Sequence, residues 1–386
     1  MRDYASHNID ETISLIADMV GCNTTNPPGD EHLAAKVVCS FLNRHGISYR
    51  THEHVAGRTN VVAELGKGEK TLLLAAHIDV VPAGEGWDTP PFQLTVKDGR
   101  MFGRGVSDDK GPLAGILSAI RYFVENPDML HCKLLVVAAA DEERGSNEGF
   151  KYLMANGLVN ADFCIIGDIA GHCEEIDIAE KGVAHFHLEV KGKQAHASVP
   201  NEGRNAIYAM ADWIARIRRY EFKFSPHHIL SAPTINVGMI SGGIAPNVVA
   251  GDCKAVMDMR YLPGMDIEKV RQELLYLSNL DASDNPDVKC SVRIDETHIL
   301  RPTQLSPDNE DLRLLSSAIE KVKGKKPEFK GFGGATDCKT FIEKGIPAVA
   351  FGPGDESVAH LANEYLDVAE LEEFISILIE FIGRYR

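Results

Sequence analysis

The stretch Leu73-Leu-Ala-Ala-His-Ile-Asp-Val80 sets the fold class. From Thr71 to Ile78 the chain is almost continuously apolar, and Lys133 to Ala140 repeats the pattern. Such runs are expected of strands covered by helices on both faces. A helical pattern from Leu113 to Val124 joins the two, with shorter strand-like runs at Thr59–Glu64 and Cys164–Ile166. Strands alternating with helices indicate an α/β layered sheet. Ligands of such sheets bind beyond the carboxyl ends of the strands, where His77 and Asp79 fall. Two residues apart on a strand, they share one face. The pair alone reads equally well as a metal ligand with its orienting partner or as a solvent-facing strand end.

Outward from this segment, the N-terminal side is helical from Asp10 to His45, interrupted by the turn-rich Asn23-Thr-Thr-Asn-Pro-Pro-Gly29. On the C-terminal side the character changes near Glu180. Val183–Val190 alternates polar and apolar residues, as a half-buried antiparallel strand does. A helix (Asn205–Arg219), strands at Thr234–Ile240 and Val248–Arg260, a helix (Ile267–Leu280) and a strand (Val288–Asp295) follow. That order is the split βαβ pattern of a ferredoxin-like layer. Beyond Pro302 a helix (Asp311–Val322), a strand (Ala348–Phe351) and a last helix (Ala369–Ile382) resume the first style. The expectation is an α/β catalytic domain from residues 1–180 and 297–386, with a mixed, largely parallel sheet between helices. A smaller α+β lid, residues 181–296, is inserted into it.

At 386 residues the chain is long enough for two domains. Its net charge of −16 argues against nucleic acid as a partner, which needs clustered Lys and Arg. The N-terminal residues lack the apolar core of a signal peptide, and no run is long enough for a transmembrane helix. The eight cysteines are scattered without a CxxC pair. These features read as a cytoplasmic protein with reduced thiols and no membrane partner.

Four further segments carry chemistry. Gly103-Arg-Gly-Val-Ser-Asp-Asp-Lys-Gly111 puts Asp108 and Asp109 before a helix, where an N-cap is the plain alternative. It lacks the spacing of a phosphate loop and the third glycine of a dinucleotide site, so an oxidoreductase is disfavoured. Ala138-Ala-Ala-Asp-Glu-Glu-Arg-Gly-Ser146 places three acids directly after a buried strand, where they repel unless cations or protons compensate. Asp168 follows the Cys164–Ile166 strand, and His360 lies in Ala359-His-Leu-Ala-Asn-Glu-Tyr365. Two histidines with several carboxylates suit zinc, cobalt or manganese.

Taken in order, the HxD strand, the SDDKG loop, DEE, the Gly-Asp after a strand and AHxxNEY resemble the M20 family of metallopeptidases and deacylases. The resemblance spans essentially the whole chain and is nearest to the acetylornithine deacetylase and succinyl-diaminopimelate desuccinylase group. It implies a zinc-peptidase-like catalytic domain with two divalent metal ions, zinc foremost, cobalt or manganese as alternatives. Asp108 would bridge them, His77 and Asp168 completing one site and Glu143 and His360 the other. Asp79 would orient His77, and Glu142 would be the base that activates a metal-bridging water. The resemblance also implies a cis peptide between Asp108 and Asp109. In the lid it makes His196 an oxyanion stabiliser and gives Asn247 and Arg260 the substrate carboxylate, while Gly334 and Thr336 fall in a glycine-rich substrate loop. A homodimer through the lid is implied as well. His185, His187, His227 and His228 read as structural or solvated. The implied reaction is hydrolysis of an amide bond in a small N-acyl amino acid or short peptide. A dipeptidase or carboxypeptidase is the alternative within the family, and a non-catalytic metal-binding homologue the alternative outside it.

Overall fold

The computed structural model describes residues 2–168, 171–278, 288–296 and 299–386. In chain order its main elements are α1 (Ile9–Val20), α2 (His32–Arg44), β1 (Ser48–Glu53), β2 (Thr59–Leu65), β3 (Thr71–His77) and α3 (Lys110–Glu125). Next come β4 (Lys133–Ala139), β5 (Phe163–Ile166), β6 (Gly182–Lys191), α4 (Ala206–Ile217), β7 (Thr234–Gly242) and β8 (Asp252–Tyr261). The chain ends with α5 (Ile267–Ser278), β9 (Lys289–Ile294), α6 (Glu310–Lys323), β10 (Ala348–Ala350) and α7 (Val368–Ile382).

It divides into two compact units: Met1–Ile178, Gln304–Lys330 and Thr336–Arg386 in the first, Ala179–Thr303 and Gly331–Ala335 in the second. The second unit thus includes the five residues 331–335, which the sequence pattern placed with the C-terminal segment. The expected boundary residue 297 and the expected helix end at Leu280 lie outside the described residues.

Six strands of the first unit's sheet run in the order β1-β2-β4-β3-β5-β10. β3 is parallel to both β4 and β5, and β5 to β10, while β1 and β2 are antiparallel additions. Strands β3 and β4 are buried along nearly their whole length, as their apolar runs require. The register sets His77 opposite Ala139 and ends β5 opposite Ala75, so the loops after all three strands leave from the same edge of the sheet. β3 is flanked on both sides by strands later in the chain, which makes its end a switch point of the kind that binds ligands. Helix α7 is buried from Phe374 to Ile382, and Gly115 of α3 admits its Leu371 and Phe374 where a Cβ would collide. β1 had no apolar signature because Ser-Tyr-Arg-Thr-His-Glu is a largely exposed edge.

The second unit is a four-stranded antiparallel sheet in the order β7-β8-β6-β9. Ala184, Phe186, Leu188 and Val190 alternate inward against Met210, Trp213 and Ile217 of α4 and Leu274 of α5. Trp213 Nε1 donates to the Leu274 carbonyl at 2.8 Å, so its polar edge is satisfied inside this core. β8 starts at Asp252 rather than Val248, because Val248 pairs instead with His196 as an isolated bridge. His185 and His187 face Asp258 and Asp295 at 3.1 and 3.3 Å on the sheet's other face. Among the described residues no helix is long and apolar enough to cross a membrane.

Candidate metal centre and active site

His77 closes β3 and is 2 % exposed, so its ring must find partners inside the protein. Its Nδ1 lies 3.0 Å from the Asp79 backbone carbonyl and 3.5 Å from Asp79 Oδ1, and its Nε2 lies 2.8 Å from Asp108 Oδ1. The other Asp108 oxygen meets His360 Nε2 at 3.1 Å, and that same nitrogen lies 3.3 Å from Glu143 Oε2. Asp108 therefore stands between two imidazoles, one oxygen toward each. Donor atoms of His77, Asp108 and Glu143 all lie within 4.8 Å of one another. The Asp108–Asp109 peptide is cis, and Asp109 Oδ2 accepts the His77 backbone N–H at 3.1 Å.

Asp79 does more than face His77. Its carboxylate accepts the backbone N–H groups of Glu142 (3.1 Å) and Glu143 (3.2 Å) and the Asn26 amide (2.8 Å). One carboxylate thus ties the end of β3 to the acidic turn after β4. That turn opens on Asp141 at φ 65°, a left-handed backbone that Asp tolerates better than most residues. Asn26 and Arg58 donate to its carboxylate at 3.0 and 2.7 Å, and its N–H reaches Glu31 at 3.2 Å. Glu31, fully buried, takes a two-pronged bond from Arg58 at 2.7 Å on each oxygen. Glu143 is turned toward His360 and accepts the Val81 N–H at 3.2 Å.

The electrostatics follow from crowding acids in a low-dielectric site. Burial holds the Glu142 carboxyl well above the usual range, with Asp337, Asp168 and Glu143 adding to the rise and His77 opposing it. Burial also raises Asp109, helped by Asp168 and Asp108, and pushes Asp337 up to about 7 despite its bond from Ser146. In the opposite sense, bonds to Asp108 and Glu143 push His360 up to about 10. Burial alone would lower His77, but Asp108 and Asp79 win and raise it well above its ordinary value. The donor set, imidazole nitrogen and carboxylate oxygen without thiolate, fits a divalent metal such as zinc, cobalt or manganese.

Residues 73–384 match the family model described as peptidase family M20/M25/M40. The chain belongs to the M20 family. It is accordingly a hydrolase acting on amide or peptide bonds. An acetylornithine deacetylase from Myxococcus xanthus is 34% identical over 326 residues, covering 83% of this chain and 81% of that one. Among solved structures, a tripeptidase from Staphylococcus aureus superposes with a TM-score of 0.80 at 21% identity, covering 98% and 99% of the two chains. A dinuclear metal-binding M20 peptidase from Bacillus subtilis gives 0.73 at 17% identity, covering 98% of each.

In this M20 protein the residues expected at the centre are not all equally close. His77, Asp108 and Glu143 cluster together, and His360 joins through Asp108 and Glu143, whereas Asp168 lies outside that set and acts on Asp109 and Glu142 through its charge. Thr336 belongs to the first unit, and Gly334, His196, Asn247 and Arg260 to the second. Within that second unit His196 is exposed and bonded to Ser198, and the Asn247 carbonyl accepts the Ala197 N–H at 3.1 Å. Arg260 donates through Nε to Asp258 at 2.9 Å. Asn26, Glu31, Arg58, Arg104 and Glu364 carry no ligand-like spacing, and the sequence assigns them no role. Asn26 in a turn and Glu364 in the AHxxNEY segment were each within quoted motifs, but only their partners reveal their work.

Proposed function

We propose that this chain is a deacylase of small N-acyl amino acids, of the acetylornithine deacetylase type, working with two divalent metal ions. The observation that carries this reading is Asp108, one oxygen toward His77 and the other toward His360 beside Glu143. The 34% identity to an acetylornithine deacetylase over most of both chains supports the substrate class. Asp108 would bridge the two ions, His77 and Asp168 holding one and Glu143 and His360 the other. Zinc is the metal of choice, with cobalt or manganese as substitutes. When bound, the pair would supply Lewis-acid activation of water and polarisation of the scissile carbonyl.

The chain's own residues then divide the remaining work. Glu142 takes the proton from the attacking water and returns it to the departing amine, breaking the C–N bond and leaving a carboxylic acid and a free amino group. Its raised affinity for a proton suits that shuttle. Asp79 holds the backbone of Glu142 and Glu143, so base and ligand stay in register with His77. His196 stabilises the developing oxyanion, and Arg260 with Asn247 grips the substrate carboxylate, which a planar guanidinium suits. Gly334 and Thr336 line the substrate loop. We further propose a cytoplasmic homodimer associated through the second unit.

The direct test is hydrolysis of acetylornithine, succinyl-diaminopimelate and simple dipeptides after chelation and re-addition of zinc, cobalt or manganese. Turnover of the acylated amino acids, lost on chelation and restored by metal, is the expected result. Turnover of dipeptides alone would replace the deacylase reading with a dipeptidase. For the lid, His196→Ala on the verified substrate should lower kcat by about 100-fold, as loss of an oxyanion donor does. An unchanged kcat removes His196 from the mechanism.

A further inference from the structure

Arg104 and Glu364 form an ion pair sealed from solvent, Nη1 to Oε2 at 2.6 Å with 1% and 0% side-chain exposure. Removing two charges from water is costly, and the cost is recovered only when their other hydrogen-bonding sites are also filled. Most of these sites are filled here, Arg104 Nε excepted, and what fills them is selective. Glu364 Oε1 accepts the backbone N–H groups of Ser107 (2.8 Å) and Asp108 (3.1 Å), and Oε2 accepts that of Gly105 (3.1 Å). Arg104 Nη2 donates to the carbonyls of Ala83 (3.2 Å) and His360 (3.3 Å). These groups belong to the loop leaving His77 and Asp79, to the peptide of Asp108, and to His360 itself.

The hold is uneven across the centre. His77 is fixed without the pair, by Asp79 at its Nδ1 and by Asp109 at its backbone nitrogen. Glu143 is fixed through Asp79 and Val81. His360, by contrast, is 55% exposed at its side chain and sits at φ 63°, a left-handed conformation that a non-glycine residue holds only with outside support. The Arg104 guanidinium bonds its carbonyl, and the Glu364 carboxylate bonds the backbone of its partner Asp108.

We propose that Arg104 and Glu364 are positioning residues that set the distance between Asp108 and His360, and so govern filling of the Glu143/His360 metal site while leaving the His77 site alone. This rests on the two-metal reading above. Neither residue is among the ligands or substrate contacts proposed above; both act through the backbone of Asp108 and His360.

The experiment is titration of the metal-free protein with Co²⁺, followed by visible absorption and metal analysis, for the wild type and Arg104→Lys. Lysine keeps the charge beside Glu364 but lacks the fork that serves a carboxylate and two carbonyls together. The wild type should take two equivalents. In the variant the first should bind as before and the second about 10–100-fold more weakly, as loss of supporting contacts behind a ligand does. Should Arg104→Lys fail to fold, the double variant Arg104→Met/Glu364→Gln leaves no buried charge unpaired and carries the same expectation. A role confined to fold stability would lower the thermal midpoint and leave both dissociation constants of the folded protein unchanged. That result, or equal weakening of both equivalents, overturns the proposal. If the wild type itself takes fewer than two equivalents, the two-metal reading falls, and this one with it.

Discussion

Glu142 and Glu143 are identical in type and adjacent in one short turn, yet their surroundings separate them. Glu143 accepts the Val81 N–H and faces His360, while Glu142 sits where burial and neighbouring acids favour a proton. Glu142→Gln should therefore keep its metal and lose about 100- to 10,000-fold in kcat, the usual contribution of a general base. Metal analysis beside steady-state kinetics checks this; full activity with metal bound would end the assignment. The histidines give a pH expectation with a definite sign. His360, pushed up to about 10, and His77, also raised, hold protons in the metal-free protein at neutral pH. A metal takes neutral imidazole, so binding must expel those protons, and affinity rises with pH toward about 10. Calorimetry in buffers of different ionisation enthalpy should show proton release on binding, with Kd falling about tenfold per pH unit for each proton released. A pH-independent Kd contradicts the ring geometry described for this centre.

At the scale of elements, the end of β3 and the turn after β4 are joined less by the sheet than by side chains behind it. Asp79, Asn26, Asp141, Arg58 and Glu31 form one connected set. Breaking the Glu31–Arg58 pair leaves one charge buried without a partner, so Arg58→Met should cost about 3–5 kcal/mol in denaturant unfolding. A loss below about 1 kcal/mol would mean that Asp141 holds its turn without help. The strands themselves were legible because a buried parallel strand is a run of apolar residues and an amphipathic helix a period. β1 was not, since an exposed polar edge has no such signature. The start of β8 was misplaced for a related reason: Val248 is apolar, but tertiary pairing with His196 takes it out of the strand.

For the whole molecule, a ligand that binds only the folded state stabilises it by mass action. With metal near 100 times Kd, the protein should gain about 2.7 kcal/mol per site over its chelated form. Differential scanning calorimetry with and without chelator measures it, and coincident midpoints would speak against a site built into the fold. Sedimentation at several concentrations tests the proposed dimer, a concentration-independent monomer being the opposing result.

What the sequence determined by itself was the kind of residue at each strand end, because burial and periodicity are local and printed in the order of side chains. It put His77 at a strand end, and Asp108, the acidic turn, Asp168 and His360 in the loops, of one α/β layer. Tertiary structure decided which of them meet. Arg104 finds Glu364 across 260 residues, and Asp79 gives its carboxylate to the backbone of Glu142 and Glu143 as well as facing His77. Such contacts have no period or spacing to announce them. They exist because a buried charge must be answered by whatever polar group the fold brings within about 3 Å.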